Sequence, residues 1–375
     1  LARNRARHGK DSLPNSNLPL KGNRTTVDFS QQHSISSSLA SNGSNVMYVT
    51  AGTLDDLLHK VLVKLLKSRD RIRPRKGDAV EIRGALLKLT NPRARLSSTE
   101  TKGTIFSCLG ELLWYLSGRN DLESIQYYLK DYGDFAEPDG TIHGAYGPRL
   151  YGLRGINQVD NVQKILTRDD SRQAVIQLFS AEDIDQEYKD VPCTCTMQFF
   201  RRGGKLDMFV SMRSNDAFIG MPHDIFCFTM IQEIFAQAAG LQVGTYSHAV
   251  GSLHLYDSNR ADAQAYLGEG WQSPIEMPRM PSGDPWPSVR QLIVLEEALR
   301  KGNSLPAEEM PPFWNDLGSL LRIFALTRGR RHLPKSDLRQ IVQLKNSMTS
   351  KLYADYIRRR ESKVQNIPDS LLELA

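Results

Sequence analysis

Leu54, Leu57, Leu58, Val61, Leu62 and Leu65 recur at intervals of three and four residues, which places them on one face of a helix. Thr53 stands where a cap is wanted, and Asp55 and Asp56 suit the positive end of the helix dipole. A helix is therefore predicted over 54–67. A basic loop carrying Arg71, Arg73, Arg75 and Lys76 follows, then a short strand over 79–83. The spacing predicts a second helix over 104–116, with Glu111 on an otherwise apolar surface, and the apolar run 173–180 reads as a buried strand. Residues 194–201 and 205–214 alternate apolar with polar and are joined by Arg202-Gly203-Gly204, a hairpin signal. A long apolar helix is predicted over 224–239, opened by Asp224 and closed by Gly240. A strand over 244–256 comes next, and helices are predicted over 289–301, 314–327 and 335–360.

Strands and helices are thus mixed without a regular βαβ alternation, which points to an α+β fold: a mixed β-sheet with packed helices and a helical C-terminal extension. Three regions are expected: a basic, Ser-rich leader over 1–45, a mixed α+β domain over 46–285 and a helical region over 286–375. The leader holds too little apolar surface to offset its ordering entropy and is expected to be disordered. Its Arg- and Ser-rich, acid-poor character also fits a transit peptide, and the sequence lacks an initiating Met.

Composition narrows the picture little. The 375 residues, 40% hydrophobic and 24% charged, suit a globular protein with one large core or two smaller ones. The net charge of +6 is concentrated in the leader and around Arg328 to Arg331, where it reads as solvated surface, so nucleic acid is not an expected partner. No apolar run reaches the roughly 18 residues that a membrane span requires. Cys108, Cys193, Cys195 and Cys227 are too few and too irregular for a disulfide framework, which points to a reducing, cytoplasmic setting. No His or further Cys lies at ligand spacing from Cys193 and Cys195, so no metal site is expected.

Four segments carry the chemistry. They are Pro192-Cys193-Thr194-Cys195-Thr196-Met197-Gln198-Phe199, Arg213-Ser214-Asn215-Asp216, Gly220-Met221-Pro222-His223-Asp224-Ile225 and His254-Leu255-Tyr256. In this order and spacing they resemble the thymidylate synthase family, over residues 50–260. The resemblance implies that family's fold, a homodimer, a pyrimidine nucleoside 5′-monophosphate as substrate and 5,10-methylenetetrahydrofolate as one-carbon donor. Cys193 occupies the nucleophile's position. A thiolate adding to C6 turns the pyrimidine into an enol or enamine and makes C5 reactive, and Cys is suited to this as a strong nucleophile. Arg213 and Ser214 look like the pair that binds the 5′-phosphate, with Arg offering a planar, always-charged fork. Arg172 matches an arginine donated across the dimer interface, and Arg73 or Arg75 would supply the remaining phosphate arginine. Asp216 and Gln198 fall at nucleotide-organising positions. Glu111, in Gly110-Glu111-Leu112-Leu113-Trp114, resembles a glutamate that handles protons. Tyr146, in His143-Gly144-Ala145-Tyr146-Gly147, resembles a tyrosine implicated in removing the C5 proton, and His254 and Tyr256 resemble the pair that binds the sugar hydroxyl.

Departures from the family pattern refine the expectation. Asp224 stands where the uracil enzymes carry Asn, as it does in deoxycytidylate hydroxymethylases. An amide donates to O4 and accepts from N3–H of uracil, whereas a carboxylate accepts from the 4-amino group of cytosine and from N3–H once N3 gains a proton. Asp224 at the start of a predicted helix could equally be its cap, and the two roles can coexist. Thr194 replaces the usual His beside the nucleophile, Gln173 replaces the second of two adjacent arginines, and residues 366–375 lack the family's proline-containing closing segment. A more open site favours trapping of a methylene intermediate by water. The expectation is hydroxymethylation of a cytidylate. Methylation of dUMP is the nearest competitor, and a non-catalytic nucleotide- or RNA-binding role is a competitor of another class.

Overall fold

Side-chain hydrogen bonds, as much as apolar periodicity, decide where the elements of this chain begin and end. A computed structural model describes residues 47–303 and 310–364, so the leader over 1–45 and the closing segment 366–375 lie outside the described residues. β1 (Tyr48–Ala51) leads into α1 (Leu54–Lys67), where Thr53 Oγ1 accepts from the Asp56 N–H at 3.0 Å as the cap. Next come β2 (Arg71–Ile72), β3 (Ala79–Leu89), α2 (Ile105–Leu116), α3 (Leu122–Gln126), α4 (Tyr146–Gly152), α5 (Gln158–Ile165) and β4 (Val175–Gln177). The hairpin of β5 (Thr194–Arg202) and β6 (Lys205–Asp216) precedes the central helix α6 (Gly220–Ala238) and the long strand β7 (Gln242–Tyr256). Helices α7 (Arg260–Gly268), α8 (Trp286–Arg300), α9 (Pro312–Thr327), α10 (Lys335–Ser347) and α11 (Ala354–Glu361) complete the described chain.

The strands form one mixed sheet in the order β1-β3-β7-β6-β5-β4, with β2 added beside the start of β3. β1 and β3 run parallel, as do β6 and β7, and the other pairs are antiparallel. The two-residue turn Gly203–Gly204 has φ of 53° and 74°, the left-handed pair that a tight hairpin requires. One face of the sheet packs on α1 and α6, and Ile225, Phe226, Phe228, Ile231 and Ile234 of α6 are fully buried. α2 packs against α6 and also against α8 and α9, where Phe324 stacks on Phe106 and Tyr128 at 5.9 and 5.0 Å. The C-terminal helices therefore share one apolar core with the sheet. No helix among the described residues is long and apolar enough to cross a membrane.

Four expectations are corrected. The strand expected over 79–83 continues as β3 to Leu89, past Gly84 at φ 69°, a kink that the exposed Arg83-Gly84 pair disguises as an end. The strand expected over 173–180 contracts to Val175–Gln177, because the N–H groups of Leu178 and Phe179 both turn to the Cys195 carbonyl. The central helix begins at Gly220 rather than Asp224. The helix expected over 335–360 breaks at Met348–Ser350, where the buried Asp316 carboxylate of α9 accepts from Thr349 N (2.9 Å), Thr349 Oγ1 (3.0 Å) and Ser350 N (2.9 Å). The break seats Tyr353 in the core.

Replacing Asp316 by Ala would leave these donors unpaired in a partly buried junction and should destabilise the fold by about 2–3 kcal/mol. Hydrogen exchange over residues 349–361 is expected to accelerate. Unchanged protection there would mean that the packing of Tyr353 alone holds α11.

Candidate functional site

Cys193 sits just before β5, half-buried, where the ends of β5, β6 and β7 converge. Arg213 on β6 locks this loop: its backbone N–H donates to the Cys193 carbonyl (2.8 Å), Nε to the Pro192 carbonyl (2.9 Å) and Nη2 to the Val191 carbonyl (2.7 Å). The same Nη2 lies 3.7 Å from Sγ. Burial pushes the thiol up to about 11, while the Arg213 guanidinium draws it back down. The nucleophile position is therefore held as S–H in the free chain, with Arg213, backed by Lys76, placed to stabilise a thiolate. Register shifts between Thr194 and Thr196, a bulge at Cys195 that breaks the strict alternation of β5 next to the nucleophile.

Asp224 lies one turn inside α6, so it is not the helix cap that its sequence position suggested. The turn ahead of the helix is closed by Asp216, whose Oδ1 accepts from the Phe218 and Ile219 N–H groups at 2.8 and 3.2 Å. Asp224 instead ends a buried relay. Asn215 Nδ2 donates to Asp224 Oδ2 (2.7 Å), which leaves Asn215 Oδ1 to accept from His248 Nε2–H (2.9 Å). Burial lowers the His248 imidazole to about 3, so it is neutral, and its bare Nδ1 accepts from the Tyr246 hydroxyl at 2.7 Å. Each member thus has its donor and acceptor roles fixed by the next. Burial, reinforced by the nearby Glu111 charge, pushes the Asp224 carboxyl up to about 8 against the opposing Asn215 hydrogen bond. With Oδ2 engaged as an acceptor, Oδ1 is the atom that can carry a proton.

Glu111, buried on α2, accepts at Oε1 from the Tyr115 and Tyr132 hydroxyls, both at 2.8 Å, while Oε2 is buried and has no partner among the described residues. Tyr146 opens α4 with its hydroxyl accepting from the Thr194 N–H (3.2 Å) and sharing a proton with Thr194 Oγ1 at 2.8 Å. Thr194, in place of the expected His, therefore holds the tyrosine that faces Cys193. Tyr146 lies within electrostatic reach of both Cys193 and Asp224, and burial raises its hydroxyl well above the usual range.

The remaining predicted residues divide by position. His254, buried at the end of β7, pairs with Asp216 across the sheet and packs edge-on to Tyr256 at 4.9 Å. Tyr256 in turn lies within electrostatic reach of Cys193. Ser214 is half-buried beside Arg213. Of the two candidate loop arginines, Arg75 donates to the Lys189 carbonyl in the segment leading to Cys193, whereas Arg73 pairs with Asp78 at 3.1 Å on the surface. Gln198 and Arg172 do not join the cluster within this chain. Gln198 lies five residues along β5, roughly 16 Å from Cys193, and its side chain donates to the Arg172 carbonyl at 3.0 Å. Sequence reasoning assigned no role to Asn215, His248, Tyr246, Lys76 or Asp190. The signal for the relay was Tyr246 and His248 at alternate positions in the middle of a strand, between buried Gly244 and Val250. Lys76 and Asp190, both within reach of the thiol, sit in loops with no pattern to mark them.

Residues 54–282 match the thymidylate synthase family model. The chain is 31% identical to a deoxyuridylate hydroxymethyltransferase of Bacillus phage SP01 over 227 residues, 56% of this chain and 59% of the phage protein. It is 27% identical to a thymidylate synthase of Corynebacterium aurimucosum over 234 residues, 60% of this chain and 84% of that protein.

Asp224 binds a proton in the folded state between its ordinary carboxylate value and about 8, whereas the unfolded chain has lost it over most of that range. Parent stability should therefore fall as pH rises across this window. Asp224→Asn removes that slope, so urea unfolding should find the variant gaining on the parent from pH 5 to 8, by at most about 1.4 kcal/mol per pH unit, and levelling off above. A stability gap that does not change with pH would show that Asp224 is ionised throughout.

Proposed function

The chain belongs to the thymidylate synthase family, and from that premise we propose that it transfers a one-carbon unit to C5 of a pyrimidine nucleoside 5′-monophosphate. The preferred substrate is a cytidylate, ribo or deoxy, and the product is the 5-hydroxymethyl nucleotide. The observation that carries the choice of base is Asp224 at the end of its buried relay. A neutral Asp224 donates from its O–H to cytosine N3 and accepts from the 4-amino group, and an ionised Asp224 still accepts from that amino group. Cytosine N3 is basic enough to share the Asp224 proton, so both contacts persist whether that proton sits on the carboxyl or on N3. Uracil O4 can only accept it, and once the proton is lost the carboxylate meets O4 with another acceptor.

The other residues take roles that their surroundings support. Cys193 attacks C6 after Arg213 has helped it to a thiolate, and Arg213, Ser214 and Arg75 form the basic rim suited to the 5′-phosphate. Tyr146, facing the thiol, is the candidate to take the C5 proton, and Glu111 with its free Oε2 exchanges protons with the ring. 5,10-Methylenetetrahydrofolate supplies the one-carbon unit at the formaldehyde level. Its pterin would find an apolar contact in Ile219, 47% exposed, and a polar one in the second oxygen of Asp216, whose first is spent on the turn. A second copy of the chain is the proposed partner. Alternate residues of β6 and β7 (Phe209 and Ser211, Thr245 and Ser247) leave one sheet face half-buried for it to cover, and Arg172 would reach the site from that copy.

Incubation with 5-tritiated dCMP, CMP or dUMP and methylenetetrahydrofolate should release tritium from a cytidylate, with a product heavier by one hydroxymethyl group. Cys193→Ser should abolish release. Asp224→Asn should move preference toward dUMP by roughly 5–150-fold, the equivalent of about 1–3 kcal/mol for one mispaired polar group. Release from dUMP alone would make the parent a uridylate enzyme, and release from none of the three would support a binding protein.

A further inference from the structure

A further carboxylate lies beside the nucleophile. Asp190 sits in the loop between Lys189 and Val191, three residues before Cys193, and is half-buried. Its side chain occupies space that any residue larger than glycine at position 144 would fill: a Cβ there would stand 2.3 Å from Oδ2 and 2.8 Å from Cγ. Among the described residues no hydrogen bond or ion pair reaches the Asp190 carboxylate, whereas Tyr115 and Tyr132 donate to Glu111 and Asn215 donates to Asp224. Lys76, Arg213, Arg149 and His143 act on it only through space, and Cys193 and Tyr132 lie within the same reach. Tyr132 is the residue whose hydroxyl holds Glu111. Asp190 therefore stands between the thiol and the Glu111 network, uncommitted to any donor among the described residues.

We propose that Asp190 is the general base that directs water onto the exocyclic methylene of the covalent intermediate, making hydroxymethyl rather than methyl the product. The inference rests on the C5-transfer reading given above. Once the folate amine has left, C5 carries a CH2 group doubly bonded to it and conjugated with C4, while C6 remains bonded to Sγ of Cys193. The water oxygen bonds to the CH2 carbon and one water proton passes to Asp190. The C5=CH2 electron pair moves toward C4 as an enolate or its amidine counterpart. That pair then forms C5=C6 as Sγ leaves C6 with its bonding electrons and recovers a proton. The sum is addition of water and loss of the thiolate, with nothing oxidised or reduced. The methyl product would instead require a hydride at the same carbon. Burial keeps the Asp190 carboxyl above its ordinary range against the pull of Lys76 and Arg213, which suits a base working near neutral pH.

The test compares the full chain with Asp190→Asn and Asp190→Glu, using tritiated cytidylate and methylenetetrahydrofolate, with and without 2-mercaptoethanol. Tritium release reports passage through C5 substitution, and mass analysis reports what the methylene becomes. In Asp190→Asn the ratio of hydroxymethyl product to tritium released should fall at least tenfold. The missing share should appear as the thioether when the thiol is present, and Asp190→Glu should recover part of the ratio. A ratio equal to the parent's in Asp190→Asn, whatever the absolute rates, would overturn the proposal and leave Asp190 as a charge that tunes the thiol. Tritium release without hydroxymethyl product in the parent would overturn the product assignment, and this proposal with it. No release from the parent would instead mean that the C5-transfer reading itself fails.

Discussion

A carboxylate buried among apolar residues must be neutral, paired or supported by oriented dipoles, and the placement of Asp224 makes that requirement the organising constraint of this site. The support comes as a line of side chains whose hydrogen bonds can run in only one direction, from the Tyr246 hydroxyl through the neutral His248 and Asn215 to Oδ2. The links come from three elements: Tyr246 and His248 on β7, Asn215 on β6 and Asp224 on α6. The register of β6 against β7 is thus a condition for the chemistry of one side chain. A slip of one residue would turn His248 to the other face and leave the amide of Asn215 free to rotate.

The nucleophile is governed from the opposite side by a single arginine. Arg213 ties three consecutive carbonyls, those of Val191, Pro192 and Cys193, and still brings Nη2 near Sγ. Loop conformation, thiol basicity and the proposed phosphate contact therefore converge on one guanidinium. Phosphate binding and thiolate formation would then be electrostatically linked, with the loop geometry already in place before substrate arrives.

Much of the frame was legible because it is written in local patterns. The helix over 54–67 with its Thr53 cap and the Gly203–Gly204 hairpin both depend on neighbours within a few residues. Cys193, Arg213, Asp216 and Asp224 stood out because they fall in short contiguous motifs. What escaped depends on contacts between distant segments. The break at Met348–Ser350 follows from Asp316, more than thirty residues earlier, and an amphipathic pattern alone cannot foresee it. Asp224 looked like a cap because Asp is favoured there, and only the turn closed by Asp216 moves the helix start to Gly220. Asp190 carries no local signature at all, since its setting is made by Gly144, Lys76 and Arg213 from three other segments.

The central claim is that a fixed relay sets the hydrogen-bonding character of Asp224, and His248 reports it directly. Nitrogen NMR of the histidine rings, assigned by loss of one signal in His248→Gln, should find this imidazole neutral, protonated on Nε2 and unchanged from pH 5 to 9. A ring that titrates within that window, or carries its proton on Nδ1, would reverse the amide of Asn215 and contradict the account.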